Sequence, residues 1–390
     1  MITDPDIRIP SRPRISRDLL FIPMDKSVQV RGAEDPVVLS GVPAVDWWRR
    51  ILDGKHSMPE ISSELLYLSR SQVEDRIGRA LTRRQQARLR RAVQREANTI
   101  VTKLYMNGLL QDGPPPSTNT DVEPHAAINS QVNFISRYVD VTRVSKNESD
   151  AQALLARARV LTLTTGHIGR SLREALGGVG VGVVDHLDLA DYSNQAGTSL
   201  SGPVGNGATR DLALVSALKA QTYDLTVMAT CRPMPRLASI INREAITART
   251  QLLFGWIDGH RAVIGPLVIR GDTACWACVR GRQLAASTTP DEDLAYETAL
   301  DGLTGTIALH ELPLFSEIAG RVLALEVFKI LTMLFMPVTG FSRVLVLDAQ
   351  TSVQREHRVY RLPGCSVCGG RNAIEADDPY AGYIAEEGGE

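Results

Sequence analysis

The sequence contains no long uncharged apolar segment. Its most apolar helical candidate runs from Ser316 to Phe335, and four charged residues interrupt it: Glu317, Arg321, Glu326 and Lys329. These charges exclude a membrane-spanning helix, and we expect no membrane partner. No signal peptide is recognisable at the N-terminus, so we expect a cytoplasmic protein whose cysteines stay reduced.

Neither sign of charge dominates, because 43 Lys and Arg oppose 44 Asp and Glu. Residues 1–112 nevertheless carry 19 basic against 14 acidic side chains, which favours an acidic ligand for that part. Six arginines follow one another there, namely Arg83, Arg84, Arg88, Arg90, Arg91 and Arg95. Since no aromatic side chains are interleaved with them, a solvated helix face is favoured, and we expect no nucleic acid as partner.

Cysteine is scarce, yet four of the five cysteines form two Cys-x-x-Cys pairs. Cys275 pairs with Cys278 and Cys365 with Cys368, and 86 residues separate the pairs. Each pair places two thiolates on one tight loop, and two pairs complete a closed tetrahedral site without an open position for substrate. The spacing predicts a structural Zn²⁺. Two disulfides or a redox dithiol are the alternatives, but neither explains the duplicated spacing.

The composition changes at a polar, proline-rich stretch that begins with Gly113-Pro114-Pro115-Pro116 and is typical of a linker. We predict an N-terminal domain over residues 1–112, a linker over 113–135 and a second domain over 136–390.

Three short strands followed by three helices are predicted in the N-terminal domain. The strands are Leu19 to Pro23, Ser27 to Arg31 and Pro36 to Ser40; the helices are Ala44 to Leu52, one starting at Met58, and one ending at Asn107. This order predicts a winged-helix-like domain. With its segments "VVLSG", "ILDGKHSMPEISSEL" and "NGLLQD", the layout resembles the PqqD-like peptide-recognition domains of ribosomal-peptide modification systems.

The resemblance implies that an extended leader peptide is added as a strand beside the third strand, against the last helix. It assigns the edge to Val37, Val38, Leu39 and Ser40, and the helix side of the groove to Val101, Leu104 and Tyr105. A generic winged helix that binds DNA is the alternative for this domain.

The second domain begins with the pattern of a doubly wound α/β sheet. A buried strand from Arg159 to Thr164 precedes a helix from Ile168 to Leu176 and a second strand from Val181 to Val184, ending at Asp185. The loop from Thr164 to Gly169 lies where backbone amides and a helix N-terminus could cradle phosphate.

The order of further segments makes the pattern specific. "YDLTVMAT", "GPLVIRGDTACWACV", "EIAGRVLALEVFKIL" and "CSVC" follow in turn, as in the adenylating fold of ThiF, MoeB and ubiquitin-activating enzymes. The closer likeness is to the ThiF-like, leader-binding partner proteins of azoline-forming (YcaO-dependent) and thiopeptide pathways. Residues 287–305 resemble the crossover loop that covers the substrate tail in this family.

Several family positions for nucleotide are altered here. Gly166, Gly169 and Asn194 are kept, and Asp185 is aligned with the ribose-binding acid. Four positions differ from the family. Thr164 replaces a glycine, Gly197 an arginine, Arg210 a lysine, and Cys231 the aspartate that holds Mg²⁺. Losing the arginine and the carboxylate removes stabilisation of the transition state, so we expect neither ATP nor Mg²⁺ as cofactor. Cys231 itself is more typical of a small buried side chain than of a nucleophile.

The resemblance therefore predicts a non-catalytic, zinc-containing protein that binds a precursor's leader and presents the core to a YcaO-type cyclodehydratase. It also implies a homodimer. An ATP-dependent enzyme that adenylates a peptide carboxylate or side chain remains the main alternative, and a DNA-binding regulator ranks below both.

Overall fold

A computed structural model describes residues 10–16, 19–25, 27–31, 37–40, 48, 50–113, 131–132, 134–136, 138, 148–189, 223–302, 311–334 and 342–369. The chain divides into one unit formed by Met1–Leu154 with Thr332–Phe335 and a second formed by Leu155–Leu331 with Met336–Glu390. The domain boundaries drawn from the sequence stay a prediction, because most of the linker lies outside the described residues.

The first unit contains two small antiparallel sheets. Strand β1 (Pro13–Ile15) pairs with β5 (Leu110–Asp112). Strands β2 (Leu20–Met24), β3 (Ser27–Arg31) and β4 (Val37–Ser40) form the second sheet in that order, which leaves β4 at its edge. The three strands of this sheet lie where the sequence predicted strands, because short β-branched runs alternate there with turn residues.

Two long helices also belong to the first unit. Helix α1 (Met58–Ile77) ends at Gly78, whose left-handed φ of 68° suits glycine. Helix α2 (Arg83–Met106) begins with a capping box in which the Gln85 side chain accepts from the Thr82 amide. The helix predicted from Ala44 falls mostly outside the described residues, so the winged-helix arrangement stays a prediction.

The core of the first unit lies between these helices and the sheets. Val101 and Leu104 of α2 pack in it with Trp48, Ile61 and Leu110. Beside the core, the buried Arg14 guanidinium donates to Gln111 Oε1 at 2.6 Å and to the Glu148 carboxylate at 2.8 and 2.9 Å. A buried charge is tolerated there because it is paired and hydrogen-bonded.

The second unit is built on a seven-stranded sheet of order β12-β11-β10-β9-β8-β6-β7. Its strands are β6 (Arg159–Thr164), β7 (Val183–Asp188), β8 (Leu225–Thr230), β9 (Leu252–Asp258), β10 (Arg261–Val268), β11 (Arg343–Asp348) and β12 (Val353–Arg358). The pairs β7–β6, β6–β8 and β8–β9 are parallel and the remaining three are antiparallel. The doubly wound α/β class predicted for this region is confirmed.

Five helices accompany this sheet in the described residues, while α3 (Glu148–Arg157) crosses the boundary, with Glu148 to Leu154 in the first unit. The five are α4 (Gly166–Gly178), α5 (Pro235–Ala248), α6 (Trp276–Ala286), α7 (Pro290–Gly302) and α8 (Pro313–Thr332). Strand β6 matches its predicted bounds, whereas β7 starts two residues later and ends three residues later than predicted. None of the helices in the described part of the chain is long and apolar enough to cross a bilayer.

Helix α8 packs closely on α4 because a glycine stands at their contact. A methyl group on Gly320 would lie 2.5 Å from the carbonyl oxygen of Ile168 and 2.9 Å from the Ser171 Cβ. The Ser171 hydroxyl also donates to the Glu317 carbonyl at 2.9 Å. The position of α8 against the start of α4 is therefore set by a backbone approach that only glycine permits.

We expect Gly320→Ala to destabilise the protein by about 1–3 kcal/mol, because two backbones must separate to admit the methyl group. Gly177→Ala is the matched control, since that position in α4 has no neighbour within 4 Å and alanine favours helix. Chemical denaturation of both variants measures the difference. Equal midpoints for the two would contradict this account of the helix contact.

Candidate functional site

The four paired cysteines come together in the second unit. Cys275 immediately precedes α6 and Cys278 lies in its first turn, while Cys365 and Cys368 lie in the turns after β12. Their sulfurs are 3.8 Å apart for Cys275–Cys278, 3.7 Å for Cys275–Cys365 and 3.3 Å for Cys278–Cys368. All four sulfurs lie within 4.8 Å of one another, so the cluster could hold a metal ion.

The geometry of this cysteine cluster fits one tetrahedral ion. A metal–sulfur bond of about 2.3 Å places tetrahedral sulfurs about 3.8 Å apart, close to the separations observed. All four cysteines are at most 8% exposed, which leaves no open coordination position for a substrate. The Leu362 amide donates to Cys278 Sγ at 3.3 Å, as backbone amides do around bound thiolates.

The thiols of the cluster are electrostatically unequal. The hydrogen bond with Cys278 raises the pKa of Cys275, and the hydrogen bond with Cys275 lowers the pKa of Cys365. Four buried sulfurs cannot all lose their protons without a cation, since like charges at this distance repel. A divalent cation would supply the missing positive charge and bind all four as thiolates.

A second group of predicted residues meets at the carboxyl ends of β6 and β8. The chain turns to opposite sides of β6 to form β7 and β8, and ligands of doubly wound sheets bind at such a switch point. Thr165, directly after β6, donates its amide to the Ala229 carbonyl at 3.0 Å. Its hydroxyl accepts from the Cys231 amide at 2.9 Å and contacts Cys231 Sγ at 3.3 Å. The two strand ends are thus fastened together.

The start of α4 is tightly enclosed within this cleft. Gly166 has a positive φ of 60°, and a Cβ there would lie 3.0 Å from the Cys231 Cβ and 2.9 Å from Glu311 Oε2. The His167 amide donates to Glu311 Oε1 at 3.1 Å. A Cβ on Gly169 would lie 2.3 Å from Thr164 Oγ1, so the threonine that replaces a glycine occupies the space against Gly169.

Two acidic residues, Asp185 and Asp188, lie at different levels of β7. Asp185 lies in the middle of β7, opposite Leu161, and its carboxylate accepts from the Tyr223 hydroxyl at 2.7 Å. Asp188 ends the strand, level with Thr164. Asp188 therefore lies at the carboxyl end of β7, where doubly wound sheets place a ribose-binding acid, and the assignment of Asp185 to that role stays a prediction.

Arg173 and His186 lie together at the same edge of the sheet. Arg173 of α4 donates to Thr164 Oγ1 at 2.8 Å and lies 3.2 Å from the His186 ring nitrogens. Burial and the Arg173 charge hold the pKa of His186 below its ordinary value. Asn194, Gly197 and Arg210, also named from the sequence, lie outside the described residues.

A cavity of about 370 Å³ lies beneath α7, on the sheet face formed by β8, β9 and β10. Its lining combines apolar side chains, such as Phe254 and Trp256, with an ion pair of 2.7 Å between Arg280 and Glu297. Helix α7 falls within residues 287–305, the segment that resembles the crossover loop. A volume of this size is in the range of small-molecule and peptide-side-chain pockets.

The predicted peptide edge lies in the first unit, at β4. Lys103 of α2 donates to the Val38 carbonyl at 3.4 Å, and β4 is the edge strand of its sheet. We infer that this carbonyl points away from β3; because the N–H and C=O of one residue point to the same side in an antiparallel ladder, the Val38 amide would then face the open edge. Val38 is 41% exposed.

The residues predicted for the helix side of the groove are mostly buried. Val101 is 0% and Leu104 5% exposed, and both belong to the core, while Tyr105 is half-buried. Lys103 of α2 reaches β4 through its contact with the Val38 carbonyl, and the role of Val101, Leu104 and Tyr105 in peptide binding stays a prediction. Of the strand residues named with Val38, the backbones of Val37, Leu39 and Ser40 form β4.

Several known proteins resemble this chain. The molybdopterin-synthase adenylyltransferase of Salmonella typhimurium is 24% identical over 243 residues, 56% of this chain and 90% of that protein. The heterocyclase TruD superposes with a TM-score of 0.57 at 17% identity, covering 94% of this chain. E. coli MccB superposes with a TM-score of 0.53 at 15% sequence identity, covering 92% of this chain and 97% of the MccB chain. The chain has the ThiF/MoeB-like fold.

The likeness is one of fold and is incomplete in length for the heterocyclases. The chain spans 44% of TruD and 39% of a second heterocyclase, which was solved with substrate and cofactor and has a TM-score of 0.54. No protein-family model matches the chain. The ThiF/MoeB-like fold and the cysteine cluster predicted from the sequence are confirmed.

Three residues at these sites were not predicted from the sequence: Lys103, Asp188 and Glu311. Glu311 lies 144 positions from its hydrogen-bond partner His167, a separation at which no sequence pattern reports contact. Asp188 required the register of β7 against β6, and Lys103 required the distance from α2 to β4. None of the three residues stands in a sequence motif that would have marked it as part of a site.

We expect Cys278→Ser to lower the metal content from about one ion per chain to near zero and to reduce thermal stability, because binding of a structural ion contributes to folding. Cys231→Ser is the control, since this cysteine lies outside the cluster and its loss should leave the metal in place. Elemental analysis of freshly purified proteins measures both. Metal-free but fully folded wild type would contradict the metal site.

Proposed function

We propose that this protein binds the leader of a ribosomally made precursor peptide and presents the core to a YcaO-type cyclodehydratase, without adenylating anything itself. The observation that carries the proposal is the combination of an open edge strand, β4, with an adenylating fold whose switch-point cleft is closed by Thr165, Cys231 and Glu311. Structural neighbours titled heterocyclase and MccB support a role in peptide modification.

The advantage of such a protein is effective concentration. Once the leader is held, each reaction on the core becomes nearly intramolecular for a partner with weak affinity for the core alone. The partner would convert Cys, Ser or Thr of the core into azolines. This chemistry belongs to the cytoplasm, where free cysteine thiols persist.

We infer that the ion of the cysteine cluster is Zn²⁺. Four thiolates at tetrahedral spacing select zinc or an iron–sulfur centre, and sulfur separations of 3.3–3.8 Å suit a single ion. The zinc would be structural, since all four positions are taken by protein. Its role would be to tie the turn after β12 to the start of α6.

A second candidate function is that of an ATP-dependent adenylating enzyme. It is favoured by the adenylyltransferase relative and by the cavity beneath α7, where a peptide end would fit. It is disfavoured by the cleft, where the position of the Mg²⁺ carboxylate is taken by Cys231, whose thiol has its pKa raised by burial and by the Glu311 charge.

We expect little or no ATP–pyrophosphate exchange, with or without precursor peptide, because the cleft offers no carboxylate at Cys231 to hold Mg²⁺ and neutralise a triphosphate. Exchange of radiolabelled pyrophosphate into ATP is the measurement. Robust exchange that is lost in Asp188→Asn or Arg210→Ala would overturn the scaffold and establish the adenylating enzyme.

Leader binding at β4 predicts a specific effect of proline. Val38→Pro removes an amide that faces the open edge, so it is expected to weaken leader binding about tenfold or more while the ladder to β3 and the metal content are retained. Fluorescence polarisation with a labelled leader from the precursor gene beside this one measures the affinity. Equal affinity for wild type and Val38→Pro would rule out strand addition at β4.

The charge of Lys103 provides a matched pair for the same assay. Lys103→Met is expected to weaken the binding of an acidic leader about three- to fivefold, since one exposed ion pair contributes up to about 1 kcal/mol. It should also reduce the dependence of the affinity on salt concentration. Arg90→Met removes the same charge from the opposite face of α2 and should leave affinity within about twofold. Equal losses in both variants would indicate non-specific attraction.

We also propose a homodimer, in which α8 contributes apolar contacts. Leu314, Ile318 and Leu325 share one face of α8 and are 66, 46 and 48% exposed. Light scattering at micromolar concentration should give twice the mass of the chain, and an Ile318→Glu variant should shift it towards monomer. A wild-type monomer would contradict the proposal.

A further inference from the structure

A carboxylate of the chain itself lies at the amino end of α4. The first amides of a helix have no partners within the helix and need acceptors from elsewhere. Here the His167 amide donates to Glu311 Oε1 at 3.1 Å, and Glu311 Oε2 lies 2.9 Å from the place that a Cβ on Gly166 would take. The negative charge thus meets the positive end of the helix dipole.

The residue that would ordinarily cap this helix is engaged elsewhere. Thr165 holds the position before α4, yet its side chain makes no bond to the helix amides. Its hydroxyl instead accepts from the Cys231 amide and contacts the Cys231 sulfur. The Thr165 hydroxyl therefore binds the residue after β8 and does not cap α4, and the Glu311 carboxylate accepts from the His167 amide of α4.

This place has a known use in doubly wound sheets. The helix after the first strand points its amides at the switch point, and nucleotide phosphates bind there. We propose that Glu311 is a built-in substitute for nucleotide phosphate, so that this chain fills its own anion position. The inference deepens the proposed lack of adenylation by naming the group that occupies the site.

The surroundings leave no room for both anions. The place that a Cβ on Gly166 would take lies 2.9 Å from Glu311 Oε2 and 3.0 Å from the Cys231 Cβ. A phosphate oxygen within hydrogen-bond distance of the His167 amide would meet the Glu311 carboxylate, and like charges at that separation repel. Phosphate can therefore enter only where the Glu311 carboxylate leaves or is removed.

Glu317 supplies a matched control on the same side of the cleft. Its carboxylate lies 3.9 Å from His167 Nδ1 and its side chain is 50% exposed. Glu317 thus places the same charge as Glu311 close to His167. In the described part of the chain, however, its carboxylate accepts no hydrogen bond from the α4 amides. A general change of charge would act alike at both positions, and displacement of phosphate would act at Glu311 alone.

The test uses the full-length protein and inorganic tripolyphosphate as the probe. We expect isothermal titration calorimetry to show no measurable binding to wild type, at least a tenfold gain in affinity for Glu311→Ala, a smaller gain for Glu311→Gln, and wild-type behaviour for Glu317→Ala. Affinity that is the same in all variants, or that rises equally at Glu317, would overturn the proposal.

A second readout holds if Glu311→Ala folds poorly. The Cys231 Cβ lies 3.0 Å from the place that a Cβ on Gly166 would take, and after burial the Glu311 charge contributes to the raised pKa of the Cys231 thiol. Glu311→Gln should therefore increase the rate of Cys231 alkylation by iodoacetamide several-fold at pH 8, as followed by peptide mass spectrometry. An unchanged rate would place the carboxylate away from the cleft in solution and contradict the inference.

The two failures are distinguishable. ATP–pyrophosphate exchange by wild type would defeat the proposed function whatever tripolyphosphate does. An inactive wild type whose Glu311 variants gain no affinity for tripolyphosphate would leave the proposed function standing and defeat only the assignment of Glu311.

Discussion

The position of β6 between β7 and β8 is the constraint on which the second unit depends. Both neighbours run parallel to β6, so the chain leaves the sheet in opposite directions and opens a cleft at the carboxyl ends of β6 and β8. The pairing itself follows from buried apolar strands and needs no catalytic residue. Whatever occupies the cleft therefore decides whether this fold performs chemistry.

In this chain the cleft is occupied by its own side chains. Thr165 and Cys231 fasten the strand ends, Thr164 fills the space against Gly169, and Glu311 accepts from the start of α4. The cysteine cluster brings the start of α6 next to the turns after β12. Neither this clustering nor the packing of the core requires nucleotide chemistry, and β4 of the first unit lies at the edge of its sheet.

The sequence predicted those features that local patterns encode. Buried strands such as β6 follow from runs of apolar residues. The duplicated Cys-x-x-Cys spacing predicted a cysteine cluster, because the two thiols of each pair are brought together within one turn of the chain. Features set by tertiary contacts were not readable. Val101 and Leu104, which we predicted for the helix side of a groove, pack in the core, and helical periodicity marks an apolar face without saying what covers it. Glu311 is brought to His167 only by the packing of α8 on α4.

The central claim is that this protein supplies binding and its partner supplies chemistry. Reconstitution with the neighbouring YcaO-type enzyme, ATP, Mg²⁺ and the precursor peptide tests it most directly, with loss of one water per ring followed by mass spectrometry. We predict ring formation only when both proteins are present, at a rate that is unchanged by substitutions in the cleft at Cys231 and lowered about tenfold or more by Val38→Pro when the precursor is limiting. Modification by the partner alone at the same rate, or adenylated peptide formed by this protein alone, would contradict the account.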